Sequence, residues 1–311
     1  MNEALCGKSY AGNPHTSRRA FIAGAASTAG AMAVGGCASM FGKASFYGPT
    51  IRDRLWMWGH HVKCAKIAWK DRYPGQAVDQ AEGCRLMGIP NNCVIRWCGL
   101  PTYPWGDYFE QFRKLKRITF GIHATDAKWT EGNLRLVFDR LQPTCPNLTG
   151  CFLDDYFLAK KVKDYVPDIG LLEKVSGALH SHGLRLSVVA YGEQASNPKF
   201  KPHFALFDEV SVWFYESGKI PKMYDTVRAA RDFLGQEKDL LLGLYMWDFS
   251  RGEPVAENLM RQQLGFAERL LADRTVTGLI FHPSFSAALD VDAVRLSKEW
   301  IRSYGEDAWG E

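Results

Sequence analysis

The sequence predicts a single (β/α)8 barrel over residues 50–311. Three observations carry this expectation. A short apolar, β-rich run followed by a polar or aromatic tip and an amphipathic stretch recurs eight times along the chain. The repeating part has the length of such a barrel, typically about 250 residues. The composition is that of an ordinary globular chain, 46% hydrophobic and 23% charged, with 13% aromatic residues, and it shows neither a sequence repeat nor a second domain.

The predicted strands are 54–58, 92–97, 117–122, 148–153, 184–190, 208–214, 240–247 and 276–281. Between them the helices carry recognisable signals. Residues 173–180 end at His182-Gly183, a cap placed just before the next strand. Residues 255–272 place Leu259, Leu264, Phe266, Leu270 and Leu271 at helical spacing, and 292–304 closes the set. An open doubly wound sheet and a barrel short of one strand are the alternatives.

Residues 1–37 read differently. Thr16-Ser17-Arg18-Arg19-Ala20-Phe21-Ile22 precedes an uncharged Ala/Gly-rich stretch to Gly36, which resembles a twin-arginine export signal. The stretch is too short and too weakly apolar for a membrane span, which needs about 20 apolar residues. Its end, Val34-Gly35-Gly36-Cys37, is similar to a bacterial lipobox, with Val34 where that pattern usually has Leu. The resemblance implies a lipid anchor at Cys37; ordinary cleavage nearby is the alternative. Either way the expected destination is the cell envelope, in the periplasm or anchored to the membrane. Residues 38–49 read as a linker.

The formal net charge is +4. The export segment holds Lys8, Arg18, Arg19 and Glu3, so the remaining chain carries about +2. That gives no basic face for a nucleic acid, and Arg113-Lys114-Leu115-Lys116-Arg117 reads as a solvated helix end. Of eight cysteines, none forms a Cys-x-x-Cys, which argues against structural zinc; most read as small buried hydrophobes.

In a (β/α)8 barrel the chemistry sits where strands end and the loops to the next helix begin. The tips here are Trp58-Gly59-His60-His61, Arg96-Trp97-Cys98, His123, Asp154-Asp155-Tyr156-Phe157, Tyr191-Gly192-Glu193, Trp213-Phe214-Tyr215-Glu216, Tyr245-Met246-Trp247-Asp248 and His282-Pro283. Alternate strand residues face the helices, the others the barrel interior. By that parity Phe152 and Asp154, Val189, Tyr191 and Glu193, Trp213 and Tyr215, and Gly243, Tyr245 and Trp247 point inward. Asp154 ranks above Asp155, and Glu216 is reachable only if its strand has already ended.

Two acids at neighbouring strand ends amid Trp and Tyr are what cleavage of a glycosidic bond needs: one protonates the leaving oxygen, the other attacks or activates water. Indole and phenol faces stack on the C–H faces of sugar rings. The leading pair is Asp154 with Glu193, with Asp155, Glu216 and Asp248 as further candidates. Acids at such positions also cap helices, and Asp155 or Asp248 could do only that. Trp58, Trp97, Tyr191, Trp213, Tyr215 and Trp247 are the expected sugar platforms; His60, Arg96, His123 and His282 are the expected hydroxyl partners.

At this point the chain resembles (β/α)8-barrel glycoside hydrolases in general. Gly150-Cys151-Phe152-Leu153-Asp154 and Tyr191-Gly192-Glu193 stand where the alpha-amylase group has its nucleophile and its general acid, but Phe152 replaces that group's arginine, so the chain is not assigned to it. The resemblance implies a carbohydrate substrate and no cofactor. Two other readings stay open: a metal-dependent hydrolase using His60, His123, Asp154 and His282, and a carbohydrate-binding lipoprotein without turnover.

Overall fold

The computed structural model describes residues 46–309 except 71, 98, 104, 124–130 and 159–165, and it leaves out the side chains of 123 and 131–133. The export signal, Cys37 and most of the linker therefore lie outside the described residues. Of the two compact units into which the chain divides, Tyr47–Trp309 is the one described below.

Eight parallel strands close into a barrel: β1 (Leu55–Gly59), β2 (Asn91–Val94), β3 (Arg117–His123), β4 (Leu148–Leu153), β5 (Arg185–Tyr191), β6 (Glu209–Trp213), β7 (Asp239–Tyr245) and, after a small hairpin of β8 (Trp247–Asp248) and β9 (Glu253–Pro254), β10 (Gly278–His282). Each strand pairs with its predecessor, and β10 closes the ring against β1 through Leu55–Leu279, Trp56–Ile280 and Met57–Phe281. The chain is thus a (β/α)8 barrel, with every predicted strand present and its ends shifted by a few residues.

The outer ring forms because the intervening stretches bury one stripe each. In Ile169–Ser181 the buried positions are Leu172, Val175, Ser176 and Leu179, spaced to lie on one helical face. Asp168 caps that helix by accepting hydrogen bonds from the backbone N–H groups of Gly170 at 2.9 Å and Leu171 at 3.3 Å. In Glu257–Ala272 the stripe is Met260, Gln263, Leu264, Ala267, Leu270 and Leu271, with Leu259 and Phe266 at its half-buried edge.

The N-terminal end of the barrel is closed by a polar plug. Tyr47 donates to Glu209 at 2.9 Å, Ser187 donates to the other Glu209 oxygen at 3.0 Å, and Arg185 pairs with Asp239. Burial holds the Glu209 carboxyl above its ordinary range, against the pull of Arg185. With this end filled, the opposite end is where a ligand can enter. Cys84, Cys93, Cys145 and Cys151 are buried thiols.

Candidate active site

A cavity of about 210 Å³ opens at the C-terminal end of the barrel. Trp58 and His60 reach it from β1, Trp97 from the turn after β2, and Asp154 and Asp155 from the end of β4. Val189 and Tyr191 come from β5, Trp213 and Tyr215 from the end of β6, Tyr245 and Phe249 from β7 and the hairpin after it, and His282 from β10. A second hollow lies over the first turn of Ile169–Ser181, lined by side chains of that one segment, and brings no groups from different strands together.

The aromatic wall is built from the barrel centre outward. Trp58 packs on Phe152 and on Trp213, both at 4.8 Å between ring centroids, and Trp213 packs on Tyr245 at 5.5 Å. The Trp213 indole donates to Ser211 Oγ at 2.8 Å, and Ser211 donates to the carbonyl of Val188 at 3.2 Å. Gly243 makes room for that indole: a Cβ there would lie 2.1 Å from Trp213 Cε3. A small residue thus meets a large one on the neighbouring strand, as a filled barrel requires.

His60 and His282 form an imidazole corner, their rings 5.1 Å apart edge to face, with Trp97 5.1 Å from His60 and Tyr245 4.6 Å from His282. Both are more than nine-tenths buried, and neither Nδ1 atom has a hydrogen-bond partner. Burial holds His60 down at about 3. It also pushes His282 well below the ordinary histidine range, with His60 adding to the effect. Both rings are therefore neutral at physiological pH and offer an acceptor nitrogen each.

Opposite stand the two aspartates. Asp155 adopts a left-handed backbone, φ 53°, a conformation that Asp tolerates better than most residues. This turn lets consecutive residues both border the cavity, which strict strand alternation would forbid. Tyr191 donates its phenol hydrogen to Asp155 Oδ1 at 2.9 Å. The phenols of Tyr191 and Tyr245 are pushed well up, first by burial and then by the nearby charge of Asp154, with Asp155 contributing to each.

The other expected acids lie elsewhere. Glu193 does not line the cavity: β5 ends at Tyr191, Gly192 takes φ 50° and the chain enters a 3-10 turn, Gly192–Ser196, that leaves Glu193 exposed. Glu216 is on the rim, paired with Lys219 at 2.8 Å, a contact that together with the Tyr215 hydroxyl holds its carboxyl below the usual range. Asp248 is buried and accepts from the Ser217 N–H at 3.1 Å, the Ser250 N–H at 2.8 Å, the Ser250 hydroxyl at 2.6 Å and the Arg251 N–H at 3.0 Å. It pins two loops and does not reach the cavity.

Among the expected binding residues, Trp58, His60, Trp97, Tyr191, Trp213, Tyr215 and His282 border the cavity. Trp247 does not: β7 stops at Tyr245, and the Trp247 indole turns to pack on Tyr73 and Trp69 at 6.0 and 6.2 Å. Arg96 is not among the residues that border the cavity; its guanidinium lies 5.6 Å from the Trp105 ring. His123 ends β3, and its side chain is outside the described residues. Among the described residues no group of three or more His, Cys, Asp or Glu is placed to hold a metal ion. Tyr245 and Phe249 were not named as binding residues from the sequence. Tyr245 carries the parity signal, whereas Phe249 follows a hairpin and leaves no periodic trace.

No family model matches the chain, and no curated protein matches it in sequence. Solved structures do match. One is a Bacteroides thetaiotaomicron protein provisionally named an alpha-L-fucosidase, with TM-score 0.55 and 13% identity over 84% of this chain and 97% of that one. Another is the GH18 chitinase ChiB of Flavobacterium johnsoniae, with TM-score 0.48 and 10% identity over 81% and 94%. The likeness is one of fold. It places this chain among (β/α)8 barrels and leaves the chemistry to be argued from the cavity.

Proposed function

We propose that the protein is an exported glycoside hydrolase whose working carboxylates are Asp154 and Asp155. One observation carries this reading. Two aspartates border, from one side, a small cavity whose other described lining residues are aromatic, imidazole or, at Val189, aliphatic, at the barrel end where such folds do their chemistry. Glycosidic cleavage passes through an oxocarbenium-like state, in which the ring gains positive charge while the leaving oxygen gains a proton. Carboxylates and aromatic faces stabilise the first, and a carboxylic acid supplies the second.

In this reading Asp154 gives its proton to the leaving oxygen as that oxygen's bond to the anomeric carbon breaks, Asp155, oriented by the Tyr191 hydroxyl, stabilises the positive charge that develops on the ring, and water adds to the anomeric carbon from the opposite face and releases its proton to solvent. Trp58 and Trp213 seat the ring, and His60 and His282 take hydrogen bonds from it. The fold shared with the protein named an alpha-L-fucosidase supports a sugar-cleaving role without selecting the sugar.

Export by the twin-arginine route and lipid attachment at Cys37 belong to the same proposal. Buried thiols suit cargo that folds in a reducing compartment before it is carried out. Replacing Cys37 by Ala should move the protein from the membrane fraction to the soluble one; an unchanged distribution rules out the anchor.

The test of the activity is release of reducing ends from a panel of polysaccharides and aryl glycosides, with wild type beside Asp154→Asn and Asp155→Asn. Activity that survives a chelator and is lost in both variants supports the reading. Binding of a glycan with no cleavage in any case replaces it with a carbohydrate-binding role, and loss of activity to the chelator replaces it with metal-dependent hydrolysis.

A further inference from the structure

We propose that the hairpin after β7 is the end wall of a site one ring deep, so that the enzyme takes only the non-reducing terminal residue of a glycan chain, and that Phe249 sets this limit. The cleavage in this statement rests on the hydrolase reading; the limit rests on the shape of the cavity.

The first argument is how far the wall runs round. Seven of the eight barrel strands, or the turns that follow them, send a side chain to the cavity. The eighth is β3, whose last side chain lies outside the described residues. In the closed ring β3 stands across the barrel from β7, and β4 across from β10. A glycan held by an internal residue runs through its site, and so needs openings on two facing sides. Tyr245 and Phe249 stand opposite the β3 side, and His282 stands opposite the aspartates of β4, so a chain that enters from either side meets a closed end.

The second is that this end is fixed. Gln263, fully buried, clamps the last residue of β7: its side-chain oxygen accepts from the Tyr245 N–H at 3.1 Å, and its amide donates to the Tyr245 carbonyl at 3.0 Å. The Met246 N–H donates to the His282 carbonyl at 2.7 Å, and the Val255 N–H donates to the Met246 carbonyl at 3.1 Å. Trp247 is buried against Trp69 and Tyr73 of the segment after β1, and Asp248 is tied to Ser217 of the segment after β6. Phe249 follows directly on these two anchors, its ring 4.9 Å from His282 and 6.0 Å from Tyr245. Trp247 and Asp248 do not reach the cavity, yet they hold Phe249 at its edge, as a rigid scaffold holds a working loop.

The third is depth. Trp58, Phe152 and Trp213 fill the barrel centre beneath the cavity. At about 210 Å³ the cavity is smaller than the roughly 300–1,000 Å³ of drug-sized pockets, enough for one ring and too small for two. The ring inside is the one whose anomeric carbon is cleaved, so the rest of the chain is the leaving group and lies outside the mouth. Such a ring is the non-reducing terminus. Each turnover then uses one water, frees one monosaccharide and shortens the chain by one residue.

The test runs polysaccharides and aryl oligosaccharides with the products separated by chromatography and the viscosity of the polymer followed. Wild type should release monosaccharide only and leave the viscosity close to its starting value early in hydrolysis. Its activity should fall at least a hundredfold on aryl oligosaccharides whose non-reducing end is blocked by a benzylidene acetal. Phe249→Ala should raise the ratio of disaccharide to monosaccharide released at least tenfold, and Phe249→Tyr should keep the wild-type ratio; a variant that only loosened the fold would lower the rate without moving the ratio. Oligosaccharides among the first wild-type products, or an unchanged ratio in a Phe249→Ala that folds by circular dichroism, overturn the inference and leave the hydrolase reading standing. Should that variant fail to fold, the wild-type products and the blocked substrates carry the decision. If nothing is cleaved, the hydrolase reading falls, and calorimetry with the same open and blocked oligosaccharides decides the limit: binding lost on blocking the end keeps it, whereas equal binding, or binding of neither, ends it.

Discussion

Tyr191 and Asp155 tie the ends of β5 and β4 together through a hydrogen bond of 2.9 Å from the phenol to the carboxylate. The bond fixes a carboxylate whose backbone sits in the left-handed region, so a side chain at the end of one strand is aimed by its neighbour. A hydrogen bond to a charged group contributes about 1.5–3 kcal/mol, and each 1.36 kcal/mol is tenfold in rate. Tyr191→Phe should therefore lower kcat/KM on the substrate found by the glycoside panel by about ten- to a hundredfold, and lower the melting temperature by a few degrees. A variant that cleaves at the wild-type rate would remove Tyr191 from the machinery.

Glu193 and Asp154 make a paired prediction. Glu193 is exposed on a 3-10 turn outside the cavity, whereas Asp154 borders it. Glu193→Gln should retain kcat/KM within about twofold, as surface substitutions away from special features usually do, while Asp154→Asn should lose activity by a thousandfold or more. Steady-state kinetics of the two variants decide it: a large loss in Glu193→Gln would restore the strand-four and strand-five acid pair that the sequence suggests.

Gly243 faces the Trp213 indole so closely that an added methyl would lie 2.1 Å from Cε3. The indole is fully buried and anchored on Ser211, so it has little freedom to retreat. Overpacking of this kind costs about 1–3 kcal/mol. Gly243→Ala should lower stability by that amount in denaturant unfolding, and Trp213→Phe in the same chain should recover part of it by shortening the ring. Additive losses in the double variant would show that the two positions are not coupled.

The barrel was legible because period-two apolar runs and helical stripes are strong, repeated signals, and all eight strands stand within a few residues of their expected places. The placement of the tip residues was legible at most strand ends. Parity holds at Phe152, Tyr191, Trp213 and Tyr245, inside or at the last residue of a strand, and at Asp154 and Tyr215 just past one. It fails at Glu193 and Trp247, where Gly192 turns the chain in one case and the β8–β9 hairpin turns it in the other. Asp155 escapes parity in the opposite sense, since its left-handed backbone brings it to the cavity beside Asp154. Strand termination is set by tertiary contacts, and no local propensity reports it to within one residue.

Asp248 offers a pH-dependent prediction, because its role is to hold loops. Burial alone would raise its carboxyl, but the hydrogen bonds from Ser217, Ser250 and Arg251 outweigh that and hold it below the usual range. A carboxylate lowered in the folded state contributes stability above its unfolded value, about 3.9 for Asp, and loses that contribution as the pH falls through the folded one. Asp53, held down by Lys116 and Thr50 against its own burial, acts in the same direction. At pH 7 Asp248→Asn should cost about 1–3 kcal/mol in urea unfolding, the penalty for weakening a set of buried hydrogen bonds. The gap between wild type and variant should narrow steadily below pH 4, while an acid limb persists in the variant because Asp53 remains. A gap that stays constant from pH 7 to pH 3 would mean that the Asp248 charge contributes nothing to the fold and that its hydrogen bonds are equally well accepted by a neutral amide.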